Sequence, residues 1–219
     1  PQEKIDQLAK SVGWKHLHFG NGLFSKDFEE TKLDLGGVSK GYCVDLLVER
    51  LNNNGFKDTY VEWGGEIRCS GQHPSKRPWK VFLSRLGDPR PEYALAVLKI
   101  QDEAIATSGD HWQIWKTLEG EKFTHIINPK TYTPLRVSDI SIATVSVNAP
   151  TCLQADILAT SAMIFDDIKD AEKWAQNIHK QYPKVSFVFS NREQKNYIVG
   201  FHQNDDTEKK NRAAGAVKE

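Results

Sequence analysis

The sequence has few cysteines and no C-x-x-C pair. Its three cysteines, Cys43, Cys69 and Cys152, are odd in number and scattered, which argues against a disulfide framework and against a zinc site. No window approaches about eighteen uninterrupted apolar residues, so no transmembrane helix is predicted. The chain opens at Pro1 without a methionine, and we expect a processed or truncated product from which any signal peptide or lipid anchor has been removed.

An excess of charge of either sign is also missing. The 219 residues carry 29 basic and 29 acidic side chains, a formal net charge of zero at pH 7. This balance gives no electrostatic reason to expect a nucleic acid or an anionic membrane as a partner. The chain does have 39% hydrophobic and 10% aromatic residues. That content supports a packed core and excludes disorder throughout.

Apolar residues recur at helical spacing in four segments and alternate in short runs between them. Helices are predicted near residues 2–12, from the central glycine-rich turn to Gly55, and at 151–164 and 168–181. Gly20-Asn21-Gly22 predicts a hairpin. Strands are predicted over Thr59–Trp63, Glu66–Ser70, Trp79–Ser84, Tyr93–Ile100, Ala104–Thr107, Lys122–Ile127, Ile140–Val147, Val185–Ser190 and Tyr197–Phe201. This order indicates one α+β (mixed α/β) domain over residues 1–203 with a largely antiparallel sheet, and a disordered tail at 204–219.

The stretch from Asp34 to Asp45, D-L-G-G-V-S-K-G-Y-C-V-D, changes from a strand-like to a helical pattern. Its glycines permit a close backbone approach, and the helix start presents unpaired N–H groups and the positive end of the dipole. Lys40 adds a full positive charge, so this stretch could cradle a phosphate. Neither G-x-x-x-x-G-K-[ST] nor G-x-G-x-x-G is present, and a glycine-rich turn with a solvated lysine is the alternative.

Four further polar or glycine-rich islands lie at the ends of predicted strands or on a predicted helix. They are Trp63–Glu66, Ala106–Asp110, Thr124–Pro129 and Gln154–Thr160. Taken singly, those at strand ends are ordinary turns. By the same reasoning, His125 alone would be a hydrogen-bonded strand histidine without a catalytic role.

Asp156 and Thr160 are four residues apart on the predicted helix 151–164, so their side chains lie on the same face. Their neighbours are mostly apolar or small, which indicates a buried helix where an unpaired carboxylate would be costly. Asp156 therefore needs a partner. Either a salt bridge to Lys40 or an arginine, or a metal ion, would supply one.

In this order and spacing, the five islands resemble the motifs of the ApbE family, the FAD:protein FMN transferases. That family reads D-L-G-G-I-A-K-G-Y, then G-G-D-I, A-T-S-G-D, S-H-I-I-D-P-x-T-G-x-P and L-A-D-A-L-A-T. The resemblance runs from about Pro1 to Phe201. It implies an ApbE-like, T-fold-related domain with largely antiparallel sheets flanked by helices.

The resemblance also implies an activity. Such a protein would cleave the pyrophosphate of FAD with Mg²⁺ and attach FMN through a phosphoester to a threonine of an acceptor flavoprotein, such as a subunit of an ion-pumping NADH:quinone oxidoreductase. The implied site residues are, for FAD, Asp34, Lys40 and Ile127; for catalysis or phosphate stabilisation, His125; and for Mg²⁺, Asp156, Thr160 and the backbone carbonyl of Gly37. We expect Lys40→Met to weaken FAD binding with a nearly unchanged melting temperature.

Four positions depart from the family pattern. They are Glu66 for Asp, Ser39 for Ala, Asn128 for Asp and Tyr132 for Gly. Family members also have a sizeable segment before the central motif that supplies part of the flavin and adenine pocket, whereas 33 residues precede Asp34 here. One alternative function is therefore an FAD-binding or interaction module without transferase activity. Because some family members also hydrolyse FAD to FMN and AMP, the resemblance leaves an FAD pyrophosphate hydrolase as another.

Other features have weaker functional interpretations. Trp63, Trp112 and Trp115 could stack on a flavin, although aromatic residues more often lie in a core. The segment Asp139–Thr144 faintly resembles the acceptor motif that the family flavinylates, with a buried strand as the alternative. The resemblance suggests the bacterial periplasm or the outer face of the inner membrane, as a lipoprotein. Any membrane anchor would then precede this chain, since the chain itself has no predicted transmembrane segment.

Overall fold

The computed structural model describes residues 2–84, 90–110, 113–193 and 195–201. Within these ranges the helices are α1 (Gln2–Ala9), α2 (Ser39–Asn53), α3 (Cys152–Ala162) and α4 (Ile168–Gln181). The strands β1 to β13 are Leu17–Gly20, Leu23–Lys26, Thr59–Trp63, Glu66–Ser70, Trp79–Leu83, Ala96–Ile100, Ala104–Gly109, Ile114–Lys116, Lys122–Ile127, Pro134–Arg136, Ile142–Ala149, Ser186–Asn191 and Asn196–Val199. Trp112 and the predicted tail at 204–219 lie outside the described residues.

A six-stranded sheet forms the centre, in the order β13-β12-β11-β7-β4-β3. Every neighbouring pair in it is antiparallel. Strands β11 and β12 are buried along their whole length because both faces of the sheet are covered. The predicted α+β class with a largely antiparallel sheet is confirmed.

Successive side chains of β12 point to opposite faces of the sheet and define its two layers. Phe187 and Phe189 pack with α3 and α4, where alanines such as Ala155 and Ala159 allow a close approach. Val188 packs on the other side, with residues of the β5–β6 hairpin such as Leu98. The sheet is thus enclosed between the helices α2, α3 and α4 on one face and the β5–β6 hairpin on the other.

The buried carboxylate of Asp45 on helix α2 is hydrogen-bonded to the start of α3. Asp45 Oδ1 and Oδ2 accept the backbone N–H groups of Cys152 and Leu153 at 2.8 and 2.9 Å. Arg68 of β4 donates to Asp45 Oδ1 at 2.8 Å. Asp45 therefore caps the start of α3 from a neighbouring helix, and the guanidinium of Arg68 balances its charge.

The predicted hairpin and the predicted end of α2 agree with the structure, whereas α1 ends at Ala9, before the predicted end near residue 12. The hairpin joins β1 to β2, with Asn21 and Gly22 at φ 48° and 73°. Gly55 follows α2 at φ 94°, as expected of a helix C-terminal glycine. Within the described residues, no helix has the length and apolar character needed to cross a membrane.

Two further predicted features differ. Apolar residues recur along α2 at Val44, Leu47, Val48 and Leu51, which predicts one buried face, yet Leu47 is 41% exposed, while Val44 and Val48 are fully buried. The run Tyr93–Ile100 is a strand only from Ala96, since residues 91–93 form a short 3-10 helix. Strands β8 and β10 were not predicted, because three residues are too few to show a period.

Candidate functional site

A cavity of about 550 Å³ lies where the loop before α2, the helix α3 and the ends of β4, β7 and β9 meet. Its lining contains every residue that the sequence predicted for the site, namely Asp34, Gly37, Lys40, His125, Ile127, Asp156 and Thr160. These residues come from three separate motifs. The fold brings them together, and their individual roles remain predictions.

The loop before α2 is held in a turn by its own side chains. Asp34 Oδ1 accepts the N–H of Gly36 at 2.8 Å, and Ser39 Oγ donates to the carbonyl of Leu35 at 2.7 Å. A Cβ atom at Gly37 would lie 2.6 Å from Thr160 Oγ1. Only a glycine therefore allows the loop to rest against α3 at this point.

Asp156 is almost fully buried, and its partner is a backbone group. The N–H of Gly41 donates to Asp156 Oδ2 at 3.0 Å, and the side chain is 2% exposed. A Cβ atom at Gly41 would lie 2.5 Å from the carbonyl oxygen of Cys152. No second hydrogen bond to Asp156 is found in the described part of the chain, and the alternative of a salt bridge to Lys40 or an arginine is not observed there.

Thr160 lies one helical turn beyond Asp156, and its Oγ1 is 3.1 Å from Ser108 Oγ at the end of β7. Among the described residues, no group of three or more His, Cys, Asp and Glu side chains is arranged to hold a metal ion. The protein ligands of an ion here would be one carboxylate (Asp156), one hydroxyl (Thr160) and one backbone carbonyl (Gly37). Those hard oxygen donors suit Mg²⁺, which keeps several positions for water and substrate phosphates.

Lys40 is not a free solvated lysine. Its Nζ is 2.6 Å from Glu66 Oε1, and Glu66 is 1% exposed. Burial raises the pKa of the Glu66 carboxyl, and the nearby Lys40 ammonium opposes that rise. Lys40→Met would leave a buried carboxylate unpaired, which costs stability. The structure therefore argues against the expected unchanged melting temperature.

His125 and Ile127 lie at the end of β9, facing the cavity. The backbone N–H of His125 donates to the carbonyl of Gln113 at 3.2 Å. Its imidazole is exposed and makes no hydrogen bond to any described residue. Thr124 Oγ1 accepts the N–H of Ile126 at 2.9 Å, which helps to shape the strand end. The alternative of a hydrogen-bonded strand histidine is thus not seen in the described ranges.

The departure at Tyr132 has a visible consequence. Tyr132 has φ 59°, in the left-handed region that favours glycine, and its N–H donates to the carbonyl of Asn128 at 2.8 Å. Asn128 Oδ1 accepts the N–H of Lys130 at 2.9 Å. The turn after β9 is therefore built by backbone and amide contacts, with a tyrosine where a glycine would be unstrained.

The weaker sequence features lie away from the cavity lining. Trp63 and Trp115 are 54% and 55% exposed, so neither is a core residue. Thr144 is 8% exposed and pairs with Gly109 on one side and Ser190 on the other. The segment Asp139–Thr144, which resembles an acceptor motif, is therefore a central strand only from Ile142, as in the alternative interpretation, whereas Asp139 and Ile140 form an exposed turn before it.

Two residues with clear contacts were missed by sequence reasoning. Glu66 was noted only as a departure, and Asp45 was given no role. Both are acidic residues next to apolar neighbours at an element start or on a helix, and that pattern could have suggested buried partners. Their partners could not be inferred, because Lys40 and Cys152 are distant in sequence.

The ApbE family model matches residues 1–186 of this chain. An FAD:protein FMN transferase of Chlamydia pneumoniae is 42% identical over 181 residues, which cover 82% of this chain and 54% of the relative. The flavin transferase ApbE from Vibrio cholerae has a similar structure, with a TM-score of 0.73 and 27% identity over 90% of this chain and 60% of that one. The apo form of Pseudomonas stutzeri flavinyl transferase ApbE, at 23% identity and a TM-score of 0.75 over 91% of this chain and 58% of that one, shows the same fold. The chain spans about half the length of the curated relatives it matches.

Proposed function

The chain belongs to the ApbE family, and from this premise we propose that the protein is an FAD:protein FMN transferase. The relatives that carry this activity in their names support the proposal. The observation that carries it is the gathering of all seven predicted site residues around one cavity, at the start of α2. A helix start with a lysine beside it favours a bound phosphate group.

The charge of the cavity argues that a cation accompanies the substrate. Asp34, Glu66 and Asp156 bring three carboxyl groups to the lining, and Lys40 brings one ammonium. A diphosphate would be repelled by this set if the carboxyl groups were ionised and no further positive charge were present. A divalent cation would offset the negative charge of the carboxyl groups and allow the phosphates to bind.

The residues present fit Mg²⁺. Asp156 and Thr160 would hold it with the backbone carbonyl of Gly37, whose loop touches Thr160. When bound, the ion would neutralise charge on the phosphate oxygens. Lys40 would hold another phosphate oxygen as a point charge, and Asp34 and Ile127 would contact FAD.

The proposed reaction is a phosphoryl-group substitution without any redox change. The hydroxyl oxygen of an acceptor threonine attacks the phosphorus that bears the riboflavin moiety. The P–O bond to threonine forms, the bond to the AMP phosphate breaks, and AMP leaves with the electron pair. His125, exposed on the cavity, takes the threonine proton.

An FAD pyrophosphate hydrolase is the second candidate. The imidazole of His125 is exposed, so water could approach it as readily as a threonine hydroxyl. In that case water would attack the same phosphorus, and free FMN and AMP would be released.

Incubation of the intact protein with FAD, Mg²⁺ and a purified subunit of an ion-pumping NADH:quinone oxidoreductase tests the proposal. We expect the subunit to gain the mass of one FMN less one water, with one AMP released per FMN attached. Release of free FMN with an unmodified subunit would support the hydrolase instead. FAD binding without any AMP would favour a binding module.

We further propose that the protein acts in the bacterial periplasm or at the outer face of the inner membrane, as a lipoprotein. The family resemblance is what supports this location. Fractionation of cells that produce the intact protein would test it, and recovery of the protein in the cytosol would contradict it.

A further inference from the structure

Glu66 has no role in the reaction described so far, yet its contacts join it to the phosphate-binding lysine. We infer that Glu66 is a positioning residue, which fixes the ammonium group of Lys40 so that it meets a phosphate oxygen of FAD. The inference rests on the proposed function. It names a further residue on which the binding of FAD depends.

The backbone holds Glu66 firmly in place. Gly64 and Gly65, at φ 65° and 101°, form a tight turn between β3 and β4, and Glu66 is the first residue after it, paired with Trp63. Strand β4 also pairs with β7 on its other side. Because β4 is hydrogen-bonded to β3 on one side and to β7 on the other, the backbone of Glu66 is held in a fixed position.

The turn also guides the lysine. A Cβ atom placed on Gly64 would lie 3.5 Å from Lys40 Cδ and 3.6 Å from Glu66 Oε2. The aliphatic part of Lys40 therefore runs along the turn towards the carboxylate. A lysine side chain has several rotatable bonds and loses much entropy when it is fixed. Glu66 and the turn fix it before any ligand arrives.

The two partners have unequal surroundings. Glu66 Oε1 is 2.6 Å from Lys40 Nζ, whereas Oε2 is buried without a hydrogen-bond partner in the described residues. The side chain of Lys40 is 44% exposed and lines the cavity, against 2% for Glu66. One N–H of the ammonium is directed at Glu66, and the exposed remainder is free to meet a ligand.

If the Lys40–Glu66 pair served stability alone, a substitution in it would lower only the stability of the fold. If Glu66 positions Lys40, a substitution of Glu66 should also weaken FAD binding, and it should do so only while Lys40 is present. A double-mutant cycle separates these cases, because residues that act as one unit are not additive.

The test uses the intact protein and four variants: Glu66→Gln, Glu66→Asp, Lys40→Met and the double variant of Glu66→Gln with Lys40→Met. FAD affinity is measured by quenching of flavin fluorescence in Mg²⁺, FMN transfer by kcat/KM, and folding by thermal unfolding. We expect Glu66→Gln to weaken FAD binding and kcat/KM by about ten- to a hundredfold, the range for one hydrogen bond to a charged group. Glu66→Asp, which keeps the charge, should recover most of both.

The double variant should bind FAD no more weakly than Lys40→Met alone. It should unfold at a higher temperature than Lys40→Met, because no buried carboxylate is left unpaired. Asp167→Ala is the control. Asp167 accepts the N–H of Lys169 at 2.7 Å at the start of α4 and does not line this cavity. This control should lower the unfolding temperature without changing the affinity for FAD.

Three results would overturn the inference. In the first, Glu66→Gln lowers the unfolding temperature but leaves FAD affinity and kcat/KM of the folded protein unchanged. In the second, the losses of the two single variants multiply in the double variant, which would make Glu66 independent of Lys40. In the third, the unsubstituted protein does not bind FAD, which would also overturn the proposed function; the first two results leave that function standing.

Discussion

Two glycines decide how closely the loop and first turn of α2 approach α3. At Gly37 and Gly41 any side chain would collide, with Thr160 in one case and with the backbone of Cys152 in the other. The close approach places the N–H of Gly41 on Asp156. The absence of two Cβ atoms therefore brings the loop close to Asp156 and Thr160, the residues proposed to hold Mg²⁺.

His125 offers the clearest residue-scale prediction. Its imidazole makes no hydrogen bond to the described residues, so His125→Ala should fold normally and bind FAD with little change. If the imidazole takes the threonine proton, the rate of FMN transfer at saturating Mg²⁺ should fall by about 10²- to 10⁴-fold. Acceptor labelling followed by mass spectrometry measures the rate.

His73→Ala is the control for that experiment. His73 lies between β4 and β5, where its Nδ1 accepts the N–H of Ser75 at 3.1 Å, and it does not line the cavity. This variant should transfer FMN at the normal rate. A full transfer rate in His125→Ala would remove His125 from the chemistry.

At the scale of elements, the site depends on how α2, α3 and β4 are joined. Asp45 accepts two N–H groups from the first turn of α3 and one hydrogen bond from Arg68 of β4. Carboxylates are favoured at helix starts because they satisfy unpaired N–H groups and the helix dipole. This one carboxylate therefore sets the position of the helix that carries Asp156 and Thr160.

Asp45→Ala should reduce the free energy of unfolding by about 3 kcal/mol, because it leaves Arg68 and two helix N–H groups without their buried partner. Asp167→Ala is the matched control, since Asp167 caps α4 at an exposed position through the N–H of Lys169. That change should cost only about 1 kcal/mol. Urea denaturation measures both, and equal losses would show that Asp45 is no more than an ordinary cap.

The sequence predicted the elements well where the pattern is local and long. The periodic runs of α4 and the alternation of β3 and β9 are properties of neighbouring residues, so they are visible without a structure. Strand β8 has three residues and shows no period. For the same reason, its small sheet with β9 and β10 was not foreseen.

The contacts within the site could not be predicted in the same way. Lys40 and Glu66 are 26 residues apart, and Gly41 and Asp156 are 115 apart. No periodicity links such pairs, and their meeting depends on the pairing of β4 with β3 and the packing of α2 on α3. The motifs identified which residues gather, whereas the structure showed that Lys40 pairs with Glu66.

In the whole molecule, acidic and basic residues are equal in number, but acidic residues predominate around the cavity. The chain is neutral overall, yet three carboxyl groups and one lysine line the cavity. Two of those carboxyl groups, on Glu66 and Asp156, are almost fully buried. Because a diphosphate is negatively charged, we predict that FAD binds here together with Mg²⁺, which would supply the missing positive charge.

Titration of FAD into the intact protein, once with Mg²⁺ and once with EDTA, tests that claim most directly. We predict saturable binding with Mg²⁺, a rise in unfolding temperature that grows with FAD concentration, and loss of both in EDTA. In Asp156→Asn, FAD binding and the unfolding temperature should be the same in Mg²⁺ as in EDTA. Asp139→Asn, a change at an exposed position outside the cavity lining, should keep the difference between Mg²⁺ and EDTA. Equal FAD binding in Mg²⁺ and EDTA, or an unchanged Mg²⁺ response in Asp156→Asn, would contradict the account.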